Sequence, residues 1–223
     1  MKKTFCLFVV LFSLLLPGSG RAGDLDRYLS SIGLVDVAKM DTSLRVCLRY
    51  ATSDNVMGKV VYTGITGAWL HPDAAARLLK AQCLLKAKHP GYTLLIYDAA
   101  RPMSVQRTMW NIVRGTPKTN YVSNPAKGGG LHNYGMAVDV TIADDSGIPL
   151  PMGTAFDYFG EEAHTDQENL LLQSNRITRE DFHNRRLLRE VMRQAGFRTI
   201  RYEWWHFNAC SREEARQNYR LID

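Results

Sequence analysis

Leu131-His132-Asn133-Tyr134-Gly135-Met136-Ala137-Val138-Asp139-Val140-Thr141-Ile142 holds the decisive pattern of this 223-residue chain. Met136 to Ile142 alternates and predicts a strand. Val138 and Val140 fall on one face, and Ala137, Asp139 and Thr141 on the other. An aspartate in the middle of an apolar strand is costly to bury unless something compensates it. A metal cation would do so. His132 follows Gly128-Gly129-Gly130, where the backbone can turn sharply and pass close to a ligand. Imidazole and carboxylate ligands suit zinc.

A second stretch, Glu203-Trp204-Trp205-His206, follows a run that reads as a strand, Phe197 to Tyr202. In a helical turn its Glu-x-x-His spacing puts both side chains on one side. In an irregular turn the geometry stays open. The two tryptophans offer a rigid, dry wall. His132, Asp139 and His206 make three protein ligands, which leaves a fourth zinc position for water and marks a catalytic site. Glu203 would then act as the base that takes a proton from that water. No piece suffices alone. A single histidine is more often a core or surface residue, and Glu-x-x-His recurs by chance. The joint pattern carries the reading.

Working outward, Asp24 to Ile32 reads as a short helix. Leu34 to Val37 and Leu44 to Tyr50 read as strands around an Asp41-Thr42-Ser43 turn. Residues 51–68 form a long loop of the kind that often carries function. Pro72 and Asp73 open a helix to about Lys88, with Ala76, Leu79, Cys83 and Leu84 on one face. Tyr92 to Tyr97 reads as a strand, and Pro102 starts a helix to about Arg114. Ile177 to Ala195 is a long helix begun by Thr178. Its arginines, Arg179, Arg185, Arg186, Arg189 and Arg193, read as a solvated face. Phe197 to Tyr202 is a further strand, and Ser211 caps a last short helix. Strands and helices mix without a βαβ rhythm. The expected fold is therefore α+β: a single domain with a mostly antiparallel sheet and flanking helices.

Residues 1–22 have the layout of a secretory signal peptide: Lys2 and Lys3, an apolar run from Phe5 to Leu16, then small residues. That run is shorter than the ~20 residues a bilayer needs. Residues 23–223 are expected to form the folded domain. The chain carries a net charge of +6, and half of that excess lies in the leader. The remainder suits an anionic surrounding such as a bacterial envelope and argues against nucleic acid. Cys47, Cys83 and Cys210 permit one disulfide with one thiol left over, or three small core residues. Among the remaining histidines, His71 reads as a helix cap, His89 as a turn residue, and His164 as a loop residue near the site.

These segments resemble the zinc D-alanyl-D-alanine peptidases. The pattern His132-x-x-Gly135-x-Ala137-x-Asp139 with Glu203-x-x-His206 is shared across that wider group. Arg49–Gly58, Asp98-Ala99-Ala100-Arg101-Pro102 and Met152–Asp157 resemble segments of the VanX-type D-Ala-D-Ala dipeptidases, in the same order. The resemblance implies a hedgehog/DD-peptidase-like fold with one zinc per chain in a central cleft. It implies His132, Asp139 and His206 as zinc ligands and Glu203 as base. Arg101 would stabilise the oxyanion, and Asp157 would hold the substrate's amino group. In one departure, Gly130 stands where the family commonly has a substrate-holding serine; a backbone N–H of the glycine run is one replacement. The implied activity is hydrolysis of D-Ala-D-Ala, or a close D,D-dipeptide, to free amino acids in the periplasm, tied to peptidoglycan turnover. The implied partner is a small dipeptide, with no nucleic acid and no stable membrane insertion after leader removal. Two alternatives remain open at this point. One is a murein DD- or LD-carboxypeptidase. The other is a non-catalytic module that binds cell-wall peptides.

Overall fold

The computed structural model describes residues 23–223; the leader expected at residues 1–22 lies outside them. The elements run α1 (Asp24–Ser31), β1 (Val35–Asp36), α2 (Val37–Met40), β2 (Arg45–Val46), β3 (Trp69–Leu70), α3 (Pro72–Lys88) and β4 (Thr93–Asp98). They continue with α4 (Met103–Val113), β5 (Ala137–Ala143), α5 (Glu168–Gln173), α6 (Arg179–Gln194), β6 (Arg198–Thr199), β7 (His206–Asn208) and α7 (Arg212–Asn218). The main sheet has five strands in the order β2-β4-β5-β7-β6, and β1 pairs with β3 in a separate ribbon. Only β2 with β4 is parallel; the other pairings in the main sheet are antiparallel. The α+β, mostly antiparallel expectation holds.

The central strand is β5, buried on both faces along its whole length. It lies between β4 and β7, so both faces must be apolar or specifically compensated. Helices α3 and α6 pack on each other, α3 reaching β4 and α6 reaching β5 and β6. Local signals explain their bounds. Pro72 occupies the first helical position of α3, where a missing N–H costs nothing. Thr178 caps α6 in a reciprocal box with Asp181.

Several expectations need correction. The buried face of α3 is Ala74, Ala75, Leu78, Ala81, Gln82 and Leu85, not that of Ala76, Leu79, Cys83 and Leu84. Strand Leu34–Val37 shrinks to β1 because Asp36 caps α2 through the Ala38 N–H. Strand Leu44–Tyr50 shrinks to β2 before a single helical turn at Arg49–Ala51. Phe197–Tyr202 keeps only β6. Cys47 and Cys83 are exposed, Cys210 is buried, and among the described residues no two cysteines are bonded to each other. Arg185 does not face solvent. It is 1% exposed, donates from Nε to the Met152 carbonyl at 2.6 Å, and lies over the Trp204 ring. Arg189 forks onto Glu168 at 2.9 and 2.5 Å. The basic helix is thus partly an internal brace.

The segment before α3 is moored by one carboxylate. Buried Asp26 accepts from the Thr66 N–H and hydroxyl, the Gly67 N–H and the Trp69 indole. Burial alone would raise its pKa, but these four donors hold it below the ordinary aspartate value. The mooring fixes the end of the long loop, residues 51–68, next to β3.

Candidate active site

Asp98, Asp139 and His206 lie in register across β4, β5 and β7. Directly opposed residues share a face of the sheet, so three polar side chains meet on one face, beside an irregularity in the β4–β5 register at Asp98. His132 enters from the single-turn helix Leu131–Tyr134 just before β5. That turn closes on Gly135, whose φ is 64°. A Cβ there would stand 2.9 Å from the His71 backbone nitrogen, so only glycine fits both the conformation and the contact.

The ligand atoms converge. His206 Nδ1 is 3.0 Å from Asp139 Oδ1 and 3.2 Å from His132 Nε2, and His132 Nε2 is 3.4 Å from Asp139 Oδ1. The outer ring nitrogens fix the tautomers. His132 Nδ1 donates to the Ala99 carbonyl at 2.7 Å, and His206 Nε2 donates to the Asn208 amide oxygen at 2.8 Å. In these tautomers both inner nitrogens present lone pairs toward a carboxylate oxygen, an arrangement that calls for a cation. Tetrahedral bonds of about 2.0–2.1 Å would set ligand atoms roughly 3.3 Å apart, matching the triangle. Among the described residues, this is the group of three metal-ligating side chains that meets at such distances. The electrostatics agree. Burial opposes a charged His132, yet Asp139 and Asp98 raise its proton affinity above the ordinary value. Asp139 is buried, but both imidazoles hold its carboxyl well below the usual range.

Glu203 stands beside this triangle, with Oε2 3.7 Å from His206 Nδ1. Burial pushes its carboxyl up to about 7; His206 opposes the shift, and Asp139 and Asp157 add to it. Asp157 is likewise raised to about 7 by burial, although it accepts from the Tyr50 hydroxyl at 3.0 Å and the Val56 N–H at 3.2 Å. Its φ of 61° is left-handed, a region aspartate enters more readily than most residues. Arg101 is buried and tied by NH2 to Asp98 at 2.5 Å and by NH1 to Gln106 at 3.1 Å. Its Nε has no hydrogen-bond partner among the described residues. Burial disfavours the guanidinium charge, and Asp98 more than restores it. Asp98 also accepts from the Tyr62 hydroxyl at 2.6 Å. The long loop thus supplies Val56 and Tyr62 to the site, as its length suggested.

All six residues singled out in the sequence border one cavity of about 370 Å³, at the small end of small-molecule sites. Trp205 lines it; Trp204 is buried and donates its indole N–H to Thr154. Sequence reasoning missed Asn208, Tyr50 and the strand character of His206. No local pattern marks them, since their roles arise from pairing with residues far along the chain. The replacement considered for the serine at position 130 also fails. The Gly130 N–H is bound to the Asn133 side chain, and those of Gly128 and Gly129 to backbone carbonyls.

A family model described as D-ala-D-ala dipeptidase, peptidase M15, matches residues 30–221. The chain belongs to this family. A D-alanyl-D-alanine dipeptidase of Escherichia coli (strain K12) is 36% identical over 174 residues, covering 78% of this chain and 83% of the relative. One from Enterococcus faecium is 31% identical over 195 residues, covering 79% and 91%. As a member of the D-ala-D-ala dipeptidase family, the chain is a metallopeptidase with a His/Asp cluster suited to a metal.

Proposed function

We propose that this chain is a zinc dipeptidase that hydrolyses D-Ala-D-Ala, or a close D,D-dipeptide, to free amino acids. The observation that carries the proposal is the juxtaposition of the His132–Asp139–His206 triangle with the Glu203 carboxylate inside one small cavity. Relatives named D-alanyl-D-alanine dipeptidase support the substrate class. Zinc held by the three ligands would supply a Lewis acid that activates water and polarises the scissile carbonyl. Glu203, with a carboxyl held near neutrality, takes a proton from the attacking water and passes one to the departing amine as the C–N bond breaks. Arg101 offers its free Nε–H and fixed charge to the developing oxyanion. Asp157 holds the substrate ammonium against the wall formed by Tyr50 and Val56. An ammonium partner at Asp157 favours a free dipeptide over a longer stem peptide, whose amine is acylated and uncharged.

The leader-like residues 1–22 and the modest positive charge of the remainder support a periplasmic site of action. There the dipeptide would come from wall breakdown, which favours a role in peptidoglycan turnover. The test is amine release from D-Ala-D-Ala by the purified chain without residues 1–22. It runs beside L-Ala-L-Ala, N-acetyl-D-Ala-D-Ala, a chelator-treated sample and Glu203→Gln. Cleavage of free D-Ala-D-Ala alone, lost with chelator or substitution, is the expected result. Cleavage of the N-blocked peptide in preference would point to a carboxypeptidase instead.

A further inference from the structure

The cavity continues past Glu203 into a second chamber of about 750 Å³. Ser123, Glu203 and Arg212 belong to the walls of both chambers, whereas Asp157 borders only the inner one and Lys127 only the outer. Glu203 therefore stands between Asp157 and the outer chamber. Asp157 puts negative charge at one end of the inner chamber, and Arg212 at the junction and Lys127 beyond it bring positive charge.

This polarity matters on the dipeptidase reading, on which the inference rests. A dipeptide is a zwitterion. With its ammonium at Asp157 and its scissile carbonyl at Glu203, its carboxylate points to the junction. Two groups there are uncommitted. Among the described residues, the Arg212 side chain, exposed at the rim, makes no ion pair, hydrogen bond or ring contact. The Ser123 hydroxyl likewise has no partner among the described residues. It lies 2.9 Å from where a Cβ on residue 130 would stand. Gly130 has φ −113°, which any residue adopts, so its backbone does not require glycine. What the missing side chain leaves is the space that Ser123 occupies.

We propose that Arg212 and Ser123 form the recognition site for the substrate's free C-terminal carboxylate. A guanidinium forks onto a carboxylate with two parallel hydrogen bonds, and the hydroxyl donates a third. The site selects free dipeptides by their carboxylate end, as Asp157 selects them by their amino end.

The test compares kcat and KM on D-Ala-D-Ala and on D-alanyl-D-alaninamide, which lacks the carboxylate charge. The metal-loaded protein, Arg212→Ala, Arg212→Lys and Ser123→Ala are each assayed. The unaltered protein is expected to prefer the acid. Arg212→Ala raises KM for the acid by about tenfold or more, the scale of a charged hydrogen bond, with kcat little changed. Its kinetics on the amide stay as they were, so the preference collapses. Arg212→Lys recovers part of it, and Ser123→Ala gives a smaller loss confined to the acid. Equal losses on both substrates, or no acid–amide preference in the unaltered protein, would overturn the carboxylate site and leave the dipeptidase reading standing. Cleavage of neither substrate by metal-loaded protein would sink both.

Discussion

The Glu203 carboxylate lies 3.7 Å from Nδ1 of His206, beside the proposed His132–Asp139–His206 metal-ligand triangle without belonging to it. A base so placed can be removed without removing the ligands. Glu203→Gln is expected to lower kcat by roughly 10²–10⁴, the usual worth of a general base. Metal content by elemental analysis should stay at the unaltered level. A variant retaining most of its activity would rule out Glu203 as the base.

Asn208 holds His206 from behind through its amide oxygen. Such partners fix the tautomer and orientation of a ligating imidazole, and losing one typically weakens metal binding about 10–100-fold. Asn208→Ala should show that loss in a chelator competition, with the chain still folded by circular dichroism. Unchanged metal affinity would mean that the sheet alone orients His206.

Burial holds both Glu203 and Asp157 near 7. Each must be ionised for its proposed role, so kcat/KM should fall as pH drops. A bound dication pulls nearby carboxyls down, which puts the midpoint of this acid limb at or below about 7. A pH–rate profile of kcat/KM checks this; an acid limb centred well above 7 contradicts it.

Asp157 also makes a stability prediction with a defined sign. Its pKa is about 7 in the folded chain against an ordinary 3.8. Between these values the unfolded chain ionises while the folded one keeps its proton, so this group costs stability as pH rises through that window. Metal-free Asp157→Asn should therefore melt higher than the unaltered chain at about pH 8, with the gap closing toward about pH 4. Asparagine also tolerates the left-handed backbone. Equal melting temperatures across the range would show that the carboxylate is better solvated than its surroundings suggest.

What the amino-acid sequence revealed follows from how local each signal is. Pro72, Thr178 and Ser211 mark helix starts because capping involves only neighbours along the chain. The buried face of α3 was misread because the helix has apolar residues all round, so periodicity does not choose a side; β4 and α6 do. Strand β7 is three residues long and polar at both ends, too short for any alternation to register. Asp139 stood out because an aspartate is costly in an apolar strand; His132, Glu203 and His206 gained meaning only jointly with it and through the resemblance of their spacing to a known family. Asn208 and Tyr50 carry no such anomaly and emerge only from register and long-range packing.

Asp139 and His206 are opposed residues on adjacent strands, 67 positions apart in the chain. A growing chain exposes His132 and Asp139 together on one segment, but the third ligand arrives only with the last strand. On the proposed ligand set, metal capture would follow completion of the sheet and lock β7 onto β5. The ion would act as a late rivet on the fold, so the metal-free chain should fray first at its C-terminal hairpin, where hydrogen exchange would detect it.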